Sequence, residues 1–383
     1  MQISILGAST TKFGELWDTS PRQLAREVFF EALKTSEVKP EEVDALFVGN
    51  MLAGILGNQA NLGSLFAEEL GVYIPAFRLE AACASGGLAL HNAINSIKAG
   101  EYKTVMVLGV EKMTDLTQED ITQALMAASS DEERVSGITF PGLYALMARA
   151  YMQEYKVGEE QLAGVSVKNH YHGSLNPKAQ FGSEITAEQV MKSSKIADPL
   201  KLLDCSPISD GAAAILITGD EKIESRHAKP VQIIASEVAT DSLSLTARKS
   251  FTSLASVVTA SQKAYKKTGL TPEYIDVVEI HDCFSIAEVI ATEDLGFSKR
   301  GKGASDIANG KYTLPKGKII TNPSGGLKSC GHPVGATGIK QIVEIVEQLR
   351  GEAGKRQVNG AKIGLTHNVG GSGTIAVIHI LQN

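Results

Sequence analysis

Leu33-Lys34-Thr35-Ser36-Glu37-Val38-Lys39-Pro40-Glu41-Glu42-Val43-Asp44 returns late in the chain as Tyr265-Lys266-Lys267-Thr268-Gly269-Leu270-Thr271-Pro272-Glu273-Tyr274-Ile275-Asp276, at an offset of 232 (272 minus 40). In each copy an amphipathic run (21–33 and 254–268) leads into the turn and a short apolar run (45–48 and 277–280) follows it. That reads as helix, turn and buried strand. A second match pairs Cys83-Ala84-Ser85-Gly86 with His332-Pro333-Val334-Gly335, each followed by a helical stretch, at an offset of 249 (332 minus 83). The added spacing falls where the second half carries a Gly- and Lys-rich stretch, 299–318, expected to be a surface loop or hairpin. One short match arises by chance, whereas two in the same order predict a duplicated αβ unit.

Between the copies, residues 117–197 have a different character, with helical periodicity at 144–152 and then a polar, His-containing loop. Strand-like runs resume at 213–218 and 231–236 and close the chain at 363–365 and 375–378. Short β-rich runs alternating with helices predict an α/β fold of stacked layers. The expected division is a first half over 1–240, with an inserted loop domain at about 118–197, and a second half over 241–383.

Composition narrows the function classes. A hydrophobic fraction of 43% with 21% charged residues suits a globular protein, and no apolar run is long enough to cross a bilayer. A net charge of −6 argues against a nucleic-acid backbone as the main partner. Met1 leads straight into the strand-like Ile3-Ser4-Ile5-Leu6-Gly7 with no signal-like segment, so a cytoplasmic location is expected. The four cysteines, Cys83, Cys205, Cys283 and Cys330, show neither CxxC pairing nor disulfide-scaffold density, so free thiols are expected.

The chemistry concentrates in four segments. Cys83 lies in Glu80-Ala81-Ala82-Cys83-Ala84-Ser85-Gly86-Gly87, at or just before a predicted helix N-terminus, where unpaired N–H groups and the helix dipole favour a thiolate. A nucleophile and a buried structural cysteine are both consistent with that segment alone. Asn322-Pro323-Ser324-Gly325-Gly326-Leu327-Lys328-Ser329-Cys330-Gly331-His332-Pro333-Val334-Gly335 crowds glycines around a thiol and an imidazole, a pattern expected where the backbone approaches a ligand. His332, at the pseudo-symmetric equivalent of Cys83, is a natural base for it. His281-Asp282-Cys283-Phe284 ends a buried strand. His367-Asn368-Val369-Gly370-Gly371 offers backbone amides for an oxyanion hole, or a plain Asn/Gly-rich hairpin turn. His170 and His172 have a metal-pair spacing but no further ligands nearby, so no metal is expected.

These residues resemble the thiolase superfamily over essentially the whole chain. Lys168-Asn169-His170 with Asn176-Pro177-Lys178-Ala179-Gln180, and Asp204-Cys205-Ser206-Pro207-Ile208-Ser209-Asp210-Gly211, look like further thiolase signatures. The His-Asp-Cys-Phe form resembles the archaeal acetoacetyl-CoA thiolases and the sterol-carrier-protein-X type. Bacterial biosynthetic thiolases carry Asn-Glu-Ala-Phe there, and a second catalytic cysteine where this chain has Asn368. The resemblance implies the thiolase fold: two pseudo-symmetric αβ halves in a layered αβαβα arrangement, with a CoA-binding loop domain inserted in the first.

It also implies roles. Cys83 attacks an acyl-CoA after passing its proton to His332, the amides of Cys83 and Gly370 hold the oxyanion, and Cys330 is the acid/base for the second substrate. His332 and a water held by His281 then stabilise the enolate. The implied activity is acetyl-CoA C-acetyltransferase, feeding hydroxymethylglutaryl-CoA and mevalonate-pathway isoprenoid synthesis, with CoA thioesters as substrates and no separate cofactor. Arg248 and Lys249 are candidate contacts for CoA phosphates. The implied partners are a second copy (a homodimer or dimer of dimers), a hydroxymethylglutaryl-CoA synthase and a zinc-containing OB-fold protein. The competing readings are a degradative 3-ketoacyl-CoA thiolase, another condensing enzyme on the same fold, and a non-catalytic CoA-binding scaffold.

Overall fold

The structure is a computed structural model describing residues 1–383. The first half runs β1 (Ser4–Thr10), α1 (Pro21–Ser36), β2 (Ala45–Gly49), α2 (Leu62–Leu70), β3 (Ala76–Leu79), α3 (Ser85–Lys98) and β4 (Thr104–Glu111). An excursion follows, with α4 (Gln118–Leu125), α5 (Asp131–Val135), α6 (Phe140–Tyr155), α7 (Glu159–Ser174), α8 (Ala187–Lys192) and the small hairpin β5 (Lys195–Ala197) and β6 (Leu200–Lys201). The chain returns through β7 (Gly211–Thr218) and α9 (Glu221–Glu224). The second half comprises β8 (Val231–Thr240), α10 (Ala255–Thr268), β9 (Val277–Ile280), α11 (Ser285–Asp294), α12 (Gly303–Ala308), β10 (Ile320–Thr321), α13 (Gly326–Cys330), α14 (Val334–Arg350), β11 (Ile363–Gly370) and β12 (Ile375–Gln382).

The strand order, β10-β9-β11-β12-β8-β1-β7-β4-β2-β3, is palindromic in architecture. Reading outward from the centre, β8, β12, β11, β9 and β10 repeat β1, β7, β4, β2 and β3. The two half-sheets join where Ser4 and Ile5 of β1 meet Gln232 and Val231 of β8. Each half-sheet is covered on both faces, which is why its strands read as continuous apolar runs rather than alternating ones. In β4, Val105 and Val107 face a core shared with α3 and α14, whereas Met106, Leu108 and Val110 face the core under α1. Ile94 and Ile97 of α3 join Ile339, Ile342, Val343 and Val346 of α14 in the central layer. The layers are therefore αβαβα, as expected.

Two expectations need correction. The boundary placed at 240/241 would leave β8 in the first half, but β8 pairs with β12 from Gln232 to Thr240 and with β1 at only two residues. Hydrogen bonding puts β8 in the second half. The stretch 299–318 is not simply a loop, because it contains α12, whose Ala304 and Ile307 are buried in the core beside Val165 of α7.

The central helices meet with their N-termini crossing, and glycine allows it. A Cβ on Gly86 would lie 2.8 Å from the Gly335 oxygen, and one on Gly338 would lie 2.4 Å from the Gly87 nitrogen. Backbone touches backbone there, so the residues ahead of α3 and α14 converge on one spot.

Candidate active site

Cys83 precedes α3 by two residues, in a turn where Ala82 takes φ 51, a left-handed conformation unfavourable for a residue with a Cβ. Ser85 fixes the turn by accepting from the Ala81 amide (2.9 Å) and donating to the Ala82 carbonyl (2.6 Å). His332 precedes α14 in the same way. Its amide donates to Ser209 Oγ (2.9 Å), which donates to Gln180 Oε1 (2.6 Å), so the excursion holds the histidine loop. His281 follows β9, and its ring crosses that of His332 edge to face with centroids 5.0 Å apart. The Cys83 sulfur and one ring nitrogen from each of His281 and His332 all lie within 4.8 Å of one another. A soft metal ion could also use that spacing.

The hydrogen bonds determine both tautomers. Asn368 Oδ1 accepts from the Gly87 amide (3.2 Å), so its Nδ2 faces the Cys83 carbonyl (3.0 Å) and His281 Nδ1 (3.3 Å). An NH₂ group can only donate, so His281 Nδ1 is the acceptor and its proton sits on Nε2. Thr337 donates to the Pro333 carbonyl (2.9 Å) and therefore accepts from His332 Nδ1 (2.7 Å). His332 is left with a lone pair on Nε2. One imidazole is poised to donate and the other to accept.

Burial keeps the groups neutral at rest. It pushes the Cys83 thiol up to about 12, opposed by the Gly371 amide and reinforced by Glu111, and pushes His332 down to about 3. His281 is also held well below the usual imidazole range, by burial and by its neighbours His332 and His367. Neither Cys83 nor His332 ionises alone. A thiolate and imidazolium formed together at this separation attract by on the order of 3 kcal/mol, so proton transfer belongs with attack on a substrate.

Cys83 and His332 line a cavity of about 1040 Å³ with 31 lining residues, 18 of them hydrophobic, and His281 touches them from outside that lining. Cys83, His332, Cys283 and Gly371 lie on its wall together with Met113, Ile121, Phe140 and Tyr144. Lys12, Trp17 and Phe181 line it too, and each is exposed. The excursion contributes Gln118 through Tyr144 and Gln180, Phe181 and Ile196, so much of the wall comes from the inserted segment.

Several expected site residues lie elsewhere. Cys330 does not line this cavity. It is the last residue of α13, and Gly331 (φ 110) reverses the chain before His332, so sulfur and imidazole project to different sides. The Cys330 sulfur packs with Phe13 and Ala336, receives a long contact from Asn176 Nδ2 (3.7 Å), and neighbours Lys340 and Glu344. Two further thiols reach the cavity, Cys205 and Cys283, and it is Cys283 that lies beside the Tyr144 hydroxyl and near Cys83, with its own ionisation suppressed by burial. The sequence signal for it was present in His281-Asp282-Cys283-Phe284.

The amide facing the Cys83 sulfur is that of Gly371, one residue beyond Gly370. Arg248 is buried and engaged with the Ser372 carbonyl, Ser372 Oγ (2.8 Å) and the Ser242 carbonyl (3.0 Å). It buttresses the Gly371 turn and does not face the cavity. Lys249 is exposed and lines no part of the cavity either. His172 is buried between the Asn322 carbonyl (2.9 Å) and the Leu314 amide (3.0 Å), a structural arrangement.

A cysteine at one helix end, a base at its pseudo-symmetric partner and amides around the sulfur define a covalent acyl-transfer site on a duplicated αβ fold. The chain belongs to the thiolase family. Residues 3–221 match the family model for the thiolase N-terminal domain, and residues 237–383 match that for the thiolase C-terminal domain-like region. It is 50% identical over 382 residues to the acetyl-CoA acetyltransferase of Methanothermobacter thermautotrophicus, covering 99% of both chains. It is 35% identical to sterol carrier protein 2 of Homo sapiens, over 98% of this chain and 71% of that one. Among solved structures, the Ltp2-ChsH2(DUF35) aldolase superposes with a TM-score of 0.86 at 23% identity, over 99% of this chain and 97% of that one. Human mitochondrial 3-ketoacyl-CoA thiolase gives 0.77 at 19%, over 100% and 98%. No helix is long and apolar enough to cross a membrane.

Proposed function

We propose that the protein is an acetyl-CoA C-acetyltransferase that condenses two acetyl-CoA to acetoacetyl-CoA and CoA, and runs the reverse thiolysis. The observation that carries this reading is the convergence of Cys83, His281 and His332 within 4.8 Å. The name of the 50% identical archaeal relative supports acetyl-CoA as the substrate.

In the first half-reaction His332 Nε2 takes the Cys83 proton as the sulfur attacks the thioester carbon, with the Cys83 and Gly371 amides facing the developing oxyanion. The C–S bond to CoA then breaks. The departing CoA thiolate takes the Cys283 proton, leaving acetyl-Cys83, a Cys283 thiolate and a His332 imidazolium. In the second half-reaction the Cys283 thiolate removes an α-proton from the incoming acetyl-CoA. His332 and the Nε2–H of His281 hold the enolate oxygen. The enolate carbon attacks the acetyl group, the Cys83 sulfur leaves and recovers its proton from His332, and both thiols are restored. No cofactor enters this cycle. Cys283 replaces Cys330 in it because Cys283 lines the cavity near Cys83 and Cys330 does not.

The loop segment at about 118–197 is proposed to hold CoA, supported by its share of the cavity wall. A homodimer is proposed through the edge strand β3, which ends the sheet and carries Phe77 at 42% exposure. A cytoplasmic role ahead of hydroxymethylglutaryl-CoA formation, with a synthase and an OB-fold protein as partners, fits the chemistry. Acetoacetyl-CoA formation is uphill and needs a consuming step.

The test is incubation of purified protein with acetyl-CoA, reading acetyl groups on peptides and acetoacetyl-CoA in solution. Expected are one acetyl group on the Cys83 peptide and a product that both vanish in Cys83→Ala. Acetylation that persists in that variant would refute the assignment.

A further inference from the structure

His281 and Cys283 both enter the proposed cycle, and Asp282 stands between them in the chain. The His281 ring meets Cys83 and His332, and the Cys283 thiol reaches the cavity. Asp282 is fully buried, and its carboxylate is engaged elsewhere. Oδ1 accepts from the Leu327 amide (2.6 Å), and Oδ2 from the Lys328 amide (3.3 Å) and Asn169 Nδ2 (2.6 Å). None of those three donor residues lines the cavity. The first two belong to α13 and the third to α7 of the inserted segment. Every partner is a donor, so the place calls for a side chain that only accepts. Gly326 leaves room for it, since a Cβ there would lie 2.4 Å from Oδ2.

Asn169 is as closely specified. Its Nδ2 also donates to Glu288 Oε2 on α11 (2.7 Å), so the two hydrogens of one NH₂ group go to two carboxylates. A carbonyl oxygen in that place would face two anions, which fixes the orientation of the amide. Glu288 is held in turn by Lys168 Nζ (2.7 Å) and Thr321 Oγ1 (2.8 Å). All of these side chains are buried, and a buried network with its charges paired is rigid.

The backbone of the same loop has its own ties. The His281 amide donates to His367 Nδ1 (3.2 Å), and the Cys283 carbonyl accepts from the Ser206 amide (2.9 Å). Asp282 adds a side-chain tie between them, and that tie runs to the inserted segment.

We propose that Asp282 and Asn169 are positioning residues for the second half-reaction: through this carboxylate the inserted segment sets where the Cys283 thiol and the His281 ring stand over acetyl-Cys83. The inference rests on the proposed acyl-transfer cycle with Cys283 as its base. Cys83 and His332 have separate supports in Ser85, Ser209 and Thr337, so the first half-reaction does not depend on the pair. Proton removal and attack by the enolate do depend on it, because a misplacement of about 1 Å costs on the order of 10²-fold.

The test uses the full-length protein at a pH above 7, where burial raises Asp282 only to about 6 and leaves it ionised. Acetylation of Cys83 is followed in a single turnover. Condensation is then measured at saturating acetyl-CoA and expressed per acetylated chain, so that unfolded protein does not count. Asp282→Asn sets an NH₂ group against other donors; it should acetylate within about threefold of the unaltered rate and condense about 10²-fold more slowly, with KM little changed. Asn169→Ala removes the remote donor and should show the same split at about tenfold. A merely structural role would lower the acetylated fraction and leave the rate per acetylated chain as it was. Equal slowing of both steps, or an unchanged condensation rate, in folded Asp282→Asn overturns the proposal. Should that variant fail to fold, the same results in Asn169→Ala overturn it. If the unaltered protein takes no acetyl label on Cys83, the cycle itself falls and this inference with it.

Discussion

The N-termini of α3 and α14 occupy equivalent places in the two halves, yet one presents a thiol and the other an imidazole. Around the first, Asn368 bonds the Gly87 amide, the Cys83 carbonyl and His281. Around the second, Glu111 bonds the Gly335 amide and Thr337 bonds the His332 ring. Duplication supplied two similar helix ends, and divergence of a few side chains made one a nucleophile and the other its base. The glycine crossing between the helices makes the pair a single site.

The comparison can be broken at several points. His332→Ala removes the base from the α14 end and should slow Cys83 acetylation by about 10³-fold in single-turnover measurements; a rate within tenfold of the unaltered protein would separate the two ends functionally. Asn368→Asp replaces the donor with an acceptor and frees His281 to move its proton to Nδ1. Condensation should fall roughly 10²-fold while Cys83 acetylation is largely kept. Equal losses in both steps would mean that Asn368 only supports the fold.

Gly338→Ala tests the crossing. Its methyl would fall 2.3 Å from Asn368 Oδ1, and a loss of about 1–3 kcal/mol in urea unfolding is expected.

The mildest perturbation is pH. His172, His332, His367 and His379 are each held near 3 by burial, well below the unfolded value of about 6.5. Because the unfolded chain binds these protons first, the stability these residues contribute is present above about 6.5 and is lost as pH falls toward 3. At pH 5.5 each should cost about 1 kcal/mol relative to pH 7, read from urea midpoints. A flat profile between those values would mean that the imidazoles are not buried neutral.

Much of this was legible in the sequence. The repeated turn around Pro40 and Pro272 carries local chemistry that survives duplication, so the two halves could be read without knowing how they pack. Cys83 ahead of a helix was equally readable, because small residues and a helical period are local signals. Cys330 was misplaced because the resemblance was carried over to the cysteine two residues before His332. Gly331 turns the chain between them, and no periodicity announces that. Cys283 escaped notice since its exposure to the cavity depends on Tyr144 and the excursion, which are remote in sequence. Arg248 looked like a phosphate ligand because its partner, the carbonyl of Ser372, is a backbone atom that composition cannot reveal. The β8 boundary failed for a similar reason, since strand ownership is set by pairing with β12.

The most direct test of the central claim sets Cys283→Ala beside Cys330→Ala, scoring acetylation of Cys83 and formation of acetoacetyl-CoA on each chain. The account predicts that both variants acetylate, that Cys283→Ala loses condensation by about 10²- to 10⁴-fold, and that Cys330→Ala condenses at close to the unaltered rate. Condensation surviving in Cys283→Ala and abolished in Cys330→Ala would contradict it.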